Sequence, residues 1–311
     1  MNNKYWLGID VGSTACKIVI LNENNEIIKR ARKNIETTPL KVVYEVLNEL
    51  DEYVKYVQAI GITGSCRMLI SKFLDADIIK SELIAHAKGC MNCFSDVENI
   101  IEIGGQDSKY LMVSNGILSN YRMNSMCAAA SGAFLDMQAK RMGIRLHEFD
   151  ELALTSTNRI ELSGKCIVFT ESEIIAQQRI GVEKADIAMA ISRNIARNYI
   201  NTLIMNKKIE GKVVFQGGVA KLKSVRKAFE EVLDTEIIVP EYPQYMGAYG
   251  IALLAKDGKN LRKTKKSMLD PSEMEYSLIV CDGCNSKCQL GRYVNRVSKE
   301  EIRVGGRCGK Y

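Results

Sequence analysis

Short apolar runs, most of them followed by a glycine turn, recur along this chain. Residues 4–21 read as a strand, a turn and a second strand, and the stretches 57–64 and 100–105 each read as a buried strand that ends in glycine. A further strand at 212–215 leads into the pair Gly217 and Gly218. Such turns leave backbone N–H groups free to face phosphate oxygens, so the turns at Gly12, Gly104 and Gly217 are predicted to be three phosphate-binding turns around one cleft.

Helical spacing of apolar residues separates these strands. The spacing predicts helices over 39–53, over 82–93 and after residue 182, and it predicts a helix rich in small residues over 244–255. The run between Lys109 and Met126 reads as a hairpin, and a helix is predicted to begin shortly after Cys127. A cysteine near a helix N-terminus is favoured as a thiolate by the helix dipole.

The sequence of the first strand and turn is repeated once further along the chain. After 92 residues, Asp10, Gly12 and Lys17 are matched by Glu102, Gly104 and Lys109, with apolar positions following both lysines. Short turn segments resemble one another by chance, but two copies of one unit would mean a duplicated domain with a phosphate turn in each half.

Composition sets the class of protein. The 311 residues suffice for two domains, and 46% hydrophobic with 26% charged residues is ordinary for a globular chain. No apolar run approaches membrane-spanning length and the N-terminus lacks a signal-peptide core, so we expect a cytoplasmic protein without a membrane partner. The net charge of +6 comes partly from the run 256–266, which has no aromatic residues and is expected to be a solvated linker rather than a nucleic-acid contact.

Ten cysteines in a cytoplasmic chain indicate metal or redox chemistry rather than disulfides. The C-terminal tail carries Cys281-x2-Cys284-x3-Cys288 and, after nineteen intervening residues, Cys308. Four such thiols can close a tetrahedral site, either for zinc or for iron–sulfur, and the x3 gap favours a second iron–sulfur cluster. Cys90 and Cys93 have no second pair nearby and are expected to be incidental thiols.

Five segments together resemble a known family. They are Asp10–Lys17, Ile103–Asp107, Cys127-Ala-Ala, Cys166–Glu173 and Gly217–Ala220. These segments look like the ATP-dependent activators of 2-hydroxyacyl-CoA dehydratases, a family of the BadF/BadG/BcrA/BcrD type within the actin and sugar-kinase superfamily. The resemblance runs from about residue 4 to residue 255.

The resemblance implies an α/β fold with two ribonuclease-H-like domains around ATP and a short Cys-rich tail. The expected bounds are 1–97 with 244–260 for domain I, 98–243 for domain II, and 261–311 for the basic linker and metal-binding tail. It also implies a homodimer that shares one 4Fe-4S cluster, takes electrons from a ferredoxin or flavodoxin, and passes one low-potential electron to a dehydratase or reductase. Two separated cysteines per chain, Cys127 and Cys166, cannot supply the four thiolates that such a cluster needs, and a two-fold axis doubles their number.

Individual roles follow from this family pattern. Asp10 and Glu102 are expected to hold hydrated Mg²⁺, and Gln106 and Asp107 are the candidates for orienting the attacking water, with Asp10 the third catalytic candidate. The nucleotide is expected to contact a longer set, namely Gly12, Ser13, Thr14, Lys17, Gly104, Gly105, Gly217, Gly218, Val219 and Ala220. Lys17 has an equal alternative as a solvated lysine on a strand face.

Three positions depart from the family pattern. Glu102 stands where the acid is usually Asp, which lengthens its reach to magnesium; the loop after Cys127 has less glycine than usual; and Leu222 stands where a polar residue is common.

Two other functions remain open at this point. One is a small-molecule kinase of the same superfamily with structural cysteines, in which Asp107 would serve as the base. The other is a nucleotide-gated interaction module with a zinc-binding tail that transfers no electrons.

Overall fold

A computed structural model describes residues 4–124, 131–163, 167–205, 208–258, 268–308 and 310–311. The chain divides into two compact units. One unit comprises the residues up to Lys88 and those from Gly247 onward, and the other comprises Gly89–Met246.

The first unit is built on a five-stranded sheet with helices. Its strands are β1 (Tyr5–Val11), β2 (Ala15–Leu21), β3 (Ile27–Asn34), β4 (Val57–Thr63) and β5 (Ile78–Ile79), and its N-terminal helices are α1 (Pro39–Glu49), α2 (Asp51–Val54), α3 (Arg67–Ile70) and α4 (Glu82–Cys93), the last of which continues into the second unit. The strand order is β3-β2-β1-β4-β5. The pairs β1/β2 and β2/β3 are antiparallel, whereas β1/β4 and β4/β5 are parallel. Strands β1 and β4 are buried along nearly their whole length, which explains their almost continuous apolar sequence.

The second unit repeats this topology. Its strands are β6 (Val97–Ile103), β7 (Ser108–Ser114), β8 (Ile117–Asn124), β9 (Lys212–Gln216) and β10 (Ile237–Ile238), and its helices are α5 (Gly132–Arg141), α6 (Leu146–Leu154), α7 (Ile167–Arg179), α8 (Lys184–Tyr199) and α9 (Lys223–Leu233). The strand order β10-β9-β6-β7-β8 is the order of the first sheet read from the other edge. The predicted α/β fold with two domains of one type is therefore confirmed.

The C-terminal part of the chain adds a helix and a small sheet to the first unit. These elements are α10 (Met246–Asp257) and the antiparallel strands β11 (Met274–Val280), β12 (Gln289–Asn295) and β13 (Glu301–Gly305). Helix α10 lies close to β1, since a Cβ on Gly8 would stand 2.0 Å from the Ala248 carbonyl oxygen. The small sheet packs through Met274, Tyr293, Ile302 and Val304 against the core of the first unit.

The bounds of these units differ from the sequence-based ones at their edges. The units divide after Lys88 and after Met246, whereas the sequence placed these divisions after residues 97 and 243. The strands β11 to β13 group with the first unit because their apolar residues join its core, with the Tyr293 ring 5.0 Å from that of Phe73.

Shorter turns complete the fold. They are a π-helical turn at Ile200–Ile204 and 3-10 turns at Val219–Lys221, Pro243–Tyr245 and Pro271–Glu273. Across the described ranges, no helix combines the length and the apolar character needed to cross a membrane.

Candidate functional site

Asp10 lies near the end of β1 in the first unit, and its side chain is buried. The antiparallel register places it directly opposite Lys17 on β2. The Lys17 ammonium lies 3.4 Å from the Asp10 carboxylate, and the lysine side chain is 22% exposed. Lys17 is therefore a partly buried partner of Asp10 rather than a solvated lysine.

Three residues that the sequence analysis did not single out surround the Asp10 carboxylate. A Cβ on Gly64 would stand 2.7 Å from its Oδ1, and a Cβ on Gly247 would stand 3.0 Å from its Oδ2 and from His86 Nε2. The third is Thr63, the parallel partner of Asp10 on β4, whose buried hydroxyl has no hydrogen-bond partner among the described residues. The two glycines have no side chains that would fill the space beside the carboxylate, and the Thr63 hydroxyl is free to bind a ligand there. A small polar ligand therefore fits beside Asp10.

The turn between β1 and β2 is held by hydrogen bonds. The Gly12 N–H donates to the Ala15 carbonyl at 3.1 Å, and the Cys66 thiol lies 3.7 Å from the Gly12 carbonyl. Ser13 and Thr14 at its tip are exposed. Burial raises the pKa of the neighbouring Cys16 thiol to about 12, and the Asp10 carboxylate raises it further. Cys16 therefore stays protonated and packs as an apolar side chain in the core.

The equivalent position of the second unit holds a charged cluster around a buried lysine. Glu102 lies near the end of β6 and Lys109 lies opposite it on β7. The Lys109 ammonium is 3.0 Å from a Glu102 oxygen and 2.9 Å from an Asp107 oxygen, and the lysine side chain is only 2% exposed. The Tyr199 hydroxyl donates to the Lys109 carbonyl at 2.5 Å, which fixes the lysine backbone from α8.

The glycine turn after β6 is joined to the start of α5. The Gly104 N–H donates to the Asp107 carbonyl at 2.9 Å. The carbonyls of Gly104 and Gly105 accept from the first N–H groups of α5, at 2.9 Å from Gly132 and 2.8 Å from Ala133. Gln106 stands exposed at the tip of this turn. Because these hydrogen bonds join the turn to α5, a displacement of the turn would also displace the start of α5.

The Gly217 turn lies against the same carboxylate. Gly217 has φ +92°, and a Cβ there would stand 2.3 Å from the Ile103 carbonyl oxygen and 2.8 Å from a Glu102 oxygen. Gly218 is different, because a Cβ there would meet no atom within 4 Å. Val219 and Ala220 follow in a buried 3-10 turn. The second unit thus brings together Glu102, Gly104, Asp107, Lys109 and Gly217.

The predicted internal sequence repeat is confirmed by the strand registers of the two hairpins. Asp10 pairs with Lys17 in one hairpin as Glu102 pairs with Lys109 in the other. Sequence reasoning used Lys109 only to recognise the repeat and did not assign it to the site. The match to Lys17 was the signal that could have placed it there.

The cysteines divide into two groups. Cys127 and Cys166 lie outside the described residues, as does the basic run 259–267. Of the described thiols, Cys16, Cys90 and Cys281 are buried, Cys66 and Cys288 are half-buried, and Cys93, Cys284 and Cys308 are exposed. Nowhere in the described part of the chain do three His, Cys, Asp or Glu side chains already lie together as a metal site. Hydrogen bonds from the Ser286 N–H and hydroxyl lower the pKa of the Cys284 thiol.

Comparisons with known proteins identify the family of this chain. The model of the BadF/BadG/BcrA/BcrD ATPase family matches residues 7–255. The chain is 39% identical over 254 residues to the (R)-2-hydroxyglutaryl-CoA dehydratase activating ATPase of Acidaminococcus fermentans, covering 81% of this chain and 96% of that protein. It is 35% identical over 271 residues to the 2-hydroxyisocaproyl-CoA dehydratase activator of Clostridioides difficile, covering 85% of this chain and 100% of the relative.

A solved structure extends the comparison to the fold. The activator of 2-hydroxyisocaproyl-CoA dehydratase from Clostridium difficile with bound ADPNP superposes with a TM-score of 0.74 at 34% identity, covering 83% of this chain and 99% of that one. The family match ends at residue 255, so the sheet of β11 to β13 lies beyond it.

Proposed function

Because the chain belongs to the BadF/BadG/BcrA/BcrD ATPase family, we propose that it hydrolyses ATP to deliver one low-potential electron from an iron–sulfur cluster to a 2-hydroxyacyl-CoA dehydratase or related reductase. One observation carries the nucleotide half of this proposal. The same hairpin, with a buried carboxylate paired to a lysine beside a glycine turn, occurs in both units.

The residues around Asp10 fit a hydrated magnesium ion. Hard cations prefer carboxylate oxygen and water, and the orphaned Thr63 hydroxyl offers a buried polar partner next to Asp10. In the second unit, Glu102 is the carboxylate that we assign to hydrated Mg²⁺. Mg²⁺ would neutralise phosphate charge there, while the exposed hydroxyls of Ser13 and Thr14 donate to phosphate oxygens.

Hydrolysis needs a positioned water more than it needs covalent chemistry. Asp107 is held at 2.9 Å by the buried Lys109, so its carboxylate has a fixed direction. Gln106 stands exposed at the same turn and can turn its amide toward a water. We assign Gln106 and Asp107 to this role and assign Lys17 to the phosphates.

The adenosine side of the nucleotide would lie over Gly217 to Ala220. Gly218 presents open backbone, since a side chain there would meet no atom within 4 Å. A ligand can therefore approach the chain closely at this turn.

The cluster would be held by Cys127 and Cys166 of two subunits. Each cysteine directly or closely precedes a helix, since α5 begins at Gly132 and α7 at Ile167. Thiolates at helix N-termini are stabilised by the dipole, which suits an anionic cluster. The cluster would supply the low-potential electron. Since α5 is hydrogen-bonded to the Gly104 turn, a change of that turn during nucleotide turnover would move the start of α5 and, with it, the cluster environment.

The remaining partners follow from this role. A dehydratase or reductase would accept the electron, and a ferredoxin or flavodoxin would restore it. The protein would work in the cytoplasm, where thiols stay reduced.

Electron transfer by anaerobically purified protein tests the proposal. We expect a brown homodimer with about four irons per two chains, bleached by dithionite. The reduced protein should reduce a low-potential dye or dehydratase when ATP is added and should hold its electron with ADPNP. Cys127→Ser should remove the iron and the colour, whereas Cys93→Ser, which changes an exposed thiol of α4, should keep both.

Two results would overturn the proposal. One is fully reconstituted dimer without iron. The other is a colourless monomer that transfers the ATP γ-phosphate to a small molecule, which would make the chain a kinase.

A further inference from the structure

Two of the four tail cysteines, Cys281 and Cys288, lie opposite each other at one end of the small C-terminal sheet. The last pair in the ladder of β11 and β12 is Val280 with Gln289, and the Cys281 N–H donates to the Cys288 carbonyl at 2.8 Å immediately beyond it. Cys281 and Cys288 therefore stand directly opposite each other. Opposed residues of an antiparallel pair place their Cβ atoms about 4.5–5.5 Å apart on one face.

The other two cysteines reach the same end by different routes. Cys284 lies inside the loop that Cys281 and Cys288 close. On the other side of β12, Leu290 pairs with Gly305, and Cys308 follows three residues later. Gly306 has φ +90° and a Cβ there would stand 3.2 Å from Leu290 Cδ2, so the chain turns beside β12 as it leaves β13.

The loop already has the hydrogen bonds that thiolate ligands use. The Gly283 N–H donates to the Cys281 sulfur at 3.4 Å, and Ser286 donates to Cys284. Cys281 is buried and half-buried Cys288 faces it, while Cys284 and Cys308 are exposed. The four side chains do not lie together as a metal site in this structure, so the exposed pair would have to move toward Cys281 and Cys288, and its exposure leaves it free to change rotamer.

We propose that Cys281, Cys284, Cys288 and Cys308 bind one Zn²⁺ ion in a tetrahedral site. Four sulfurs at 2.3 Å from zinc lie about 3.8 Å from one another, a separation that two directly opposed cysteines can reach. A cluster of four irons holds its thiolates further apart, so the register favours zinc over the iron–sulfur cluster that the x3 spacing suggested. The ion would join the loop to the end of β13, in a part of the chain beyond the family match.

Cobalt substitution of the full-length protein tests the site directly. Protein prepared without zinc and titrated with Co²⁺ should develop the visible and near-ultraviolet bands of tetrahedral sulfur ligation at one equivalent, and Zn²⁺ should then displace them. Cys284→Ser should weaken zinc binding by about tenfold or more, while Cys93→Ser should leave it unchanged. Ser at the exposed position 284 touches no core residue, so the variant is expected to fold.

This measurement is independent of ATP hydrolysis and of the cluster at Cys127 and Cys166. A colourless cobalt titration would overturn the zinc site. So would a disulfide between Cys281 and Cys288 in anaerobically purified protein, or loss of iron rather than zinc on Cys284→Ser.

Discussion

At the scale of single residues, Lys109 is the group on which the buried charges of the second unit depend. Its ammonium touches both Glu102 and Asp107 while its side chain is only 2% exposed. Burying one lysine between two carboxylates is tolerated only because each charge has a partner.

Replacing Lys109 with methionine should therefore be costly. Lys109→Met keeps the volume but leaves the buried Glu102 carboxylate without its cation, and we expect the free energy of unfolding to fall by about 3–5 kcal/mol in urea titrations. Lys212→Met removes a 2.6 Å pair with Asp96, which is 65% exposed, and should cost about 1 kcal/mol or less. Equal losses of unfolding free energy in the two variants would show that the Lys109 cluster stabilises the protein no more than a surface ion pair does.

Gly217 and Gly218 allow folding and binding to be separated within one turn. Gly217→Ala places a side chain at φ +92° and 2.3 Å from a carbonyl oxygen, so we expect a loss of about 1–3 kcal/mol in the free energy of unfolding. Gly218→Ala has ordinary helical backbone and open space, and its stability should change by less than about 0.5 kcal/mol. If Gly218→Ala also weakens ADPNP binding, measured by calorimetry, the open face of the turn is the nucleotide contact.

At the scale of elements, Asp186 ties the loop 156–158 to the first turn of α8. Its carboxylate accepts from the Asn158 N–H and the Asn158 side-chain amide, both at 3.0 Å, from the Ser156 hydroxyl at 2.8 Å, and from the Thr157 N–H at 3.0 Å. These hydrogen bonds lower the pKa of Asp186 from 3.8 to about 2.

The sign of the resulting pH dependence follows from that direction. Since the folded pKa lies below the unfolded one, the carboxylate stabilises the protein above about pH 4, and this contribution disappears as the pH falls from 3.8 toward 2. The difference in unfolding free energy between wild type and Asp186→Asn should thus be largest above pH 4 and shrink below it. Asp257→Asn, which removes a carboxylate that is 59% exposed, is the matched control variant for this titration. A difference that stays constant from pH 5 to pH 2 would contradict the assignment.

The elements themselves were largely predictable from the sequence. Strands such as β1 and β6 combine apolar runs with a terminal acid and glycine, and these local signals suffice to place Asp10 and Glu102 at strand ends. The contacts of Gly64 and Gly247 with Asp10 were not predictable, because they join segments far apart in sequence. The attachment of the C-terminal sheet to the first unit was not predicted for the same reason. The contact of Phe73 with Tyr293 joins residues far apart in the sequence and produces no periodic pattern of apolar residues.

At the scale of the whole molecule, duplication explains why each unit has one carboxylate paired with a lysine, in unequal surroundings. The hairpins share one register, yet Lys17 is 22% exposed and touches one acid, while Lys109 is 2% exposed and touches two. Copies of one unit have thus kept the pairing and diverged in burial. The second copy also carries the turn that is hydrogen-bonded to α5, close after Cys127 in the chain. Nucleotide chemistry and electron storage would then depend on different residues and should be separable.

Two variants of the full-length protein test that separation. Asp10→Asn removes the charge beside Thr63 without changing shape, and we expect ATP hydrolysis to fall by about 10²-fold or more while iron content and dithionite bleaching stay at the wild-type level. Cys127→Ser should lose the iron yet bind ADPNP with unchanged affinity, because the acid–lysine hairpins do not include that cysteine. Asp257→Asn, at a carboxylate that is 59% exposed, controls for a general effect of losing one charge in the first unit and should leave both measurements unchanged. Loss of iron in Asp10→Asn, or of nucleotide binding in Cys127→Ser, would mean that one structural unit holds both groups, and the division of labour between the hairpins and the cysteines would fail.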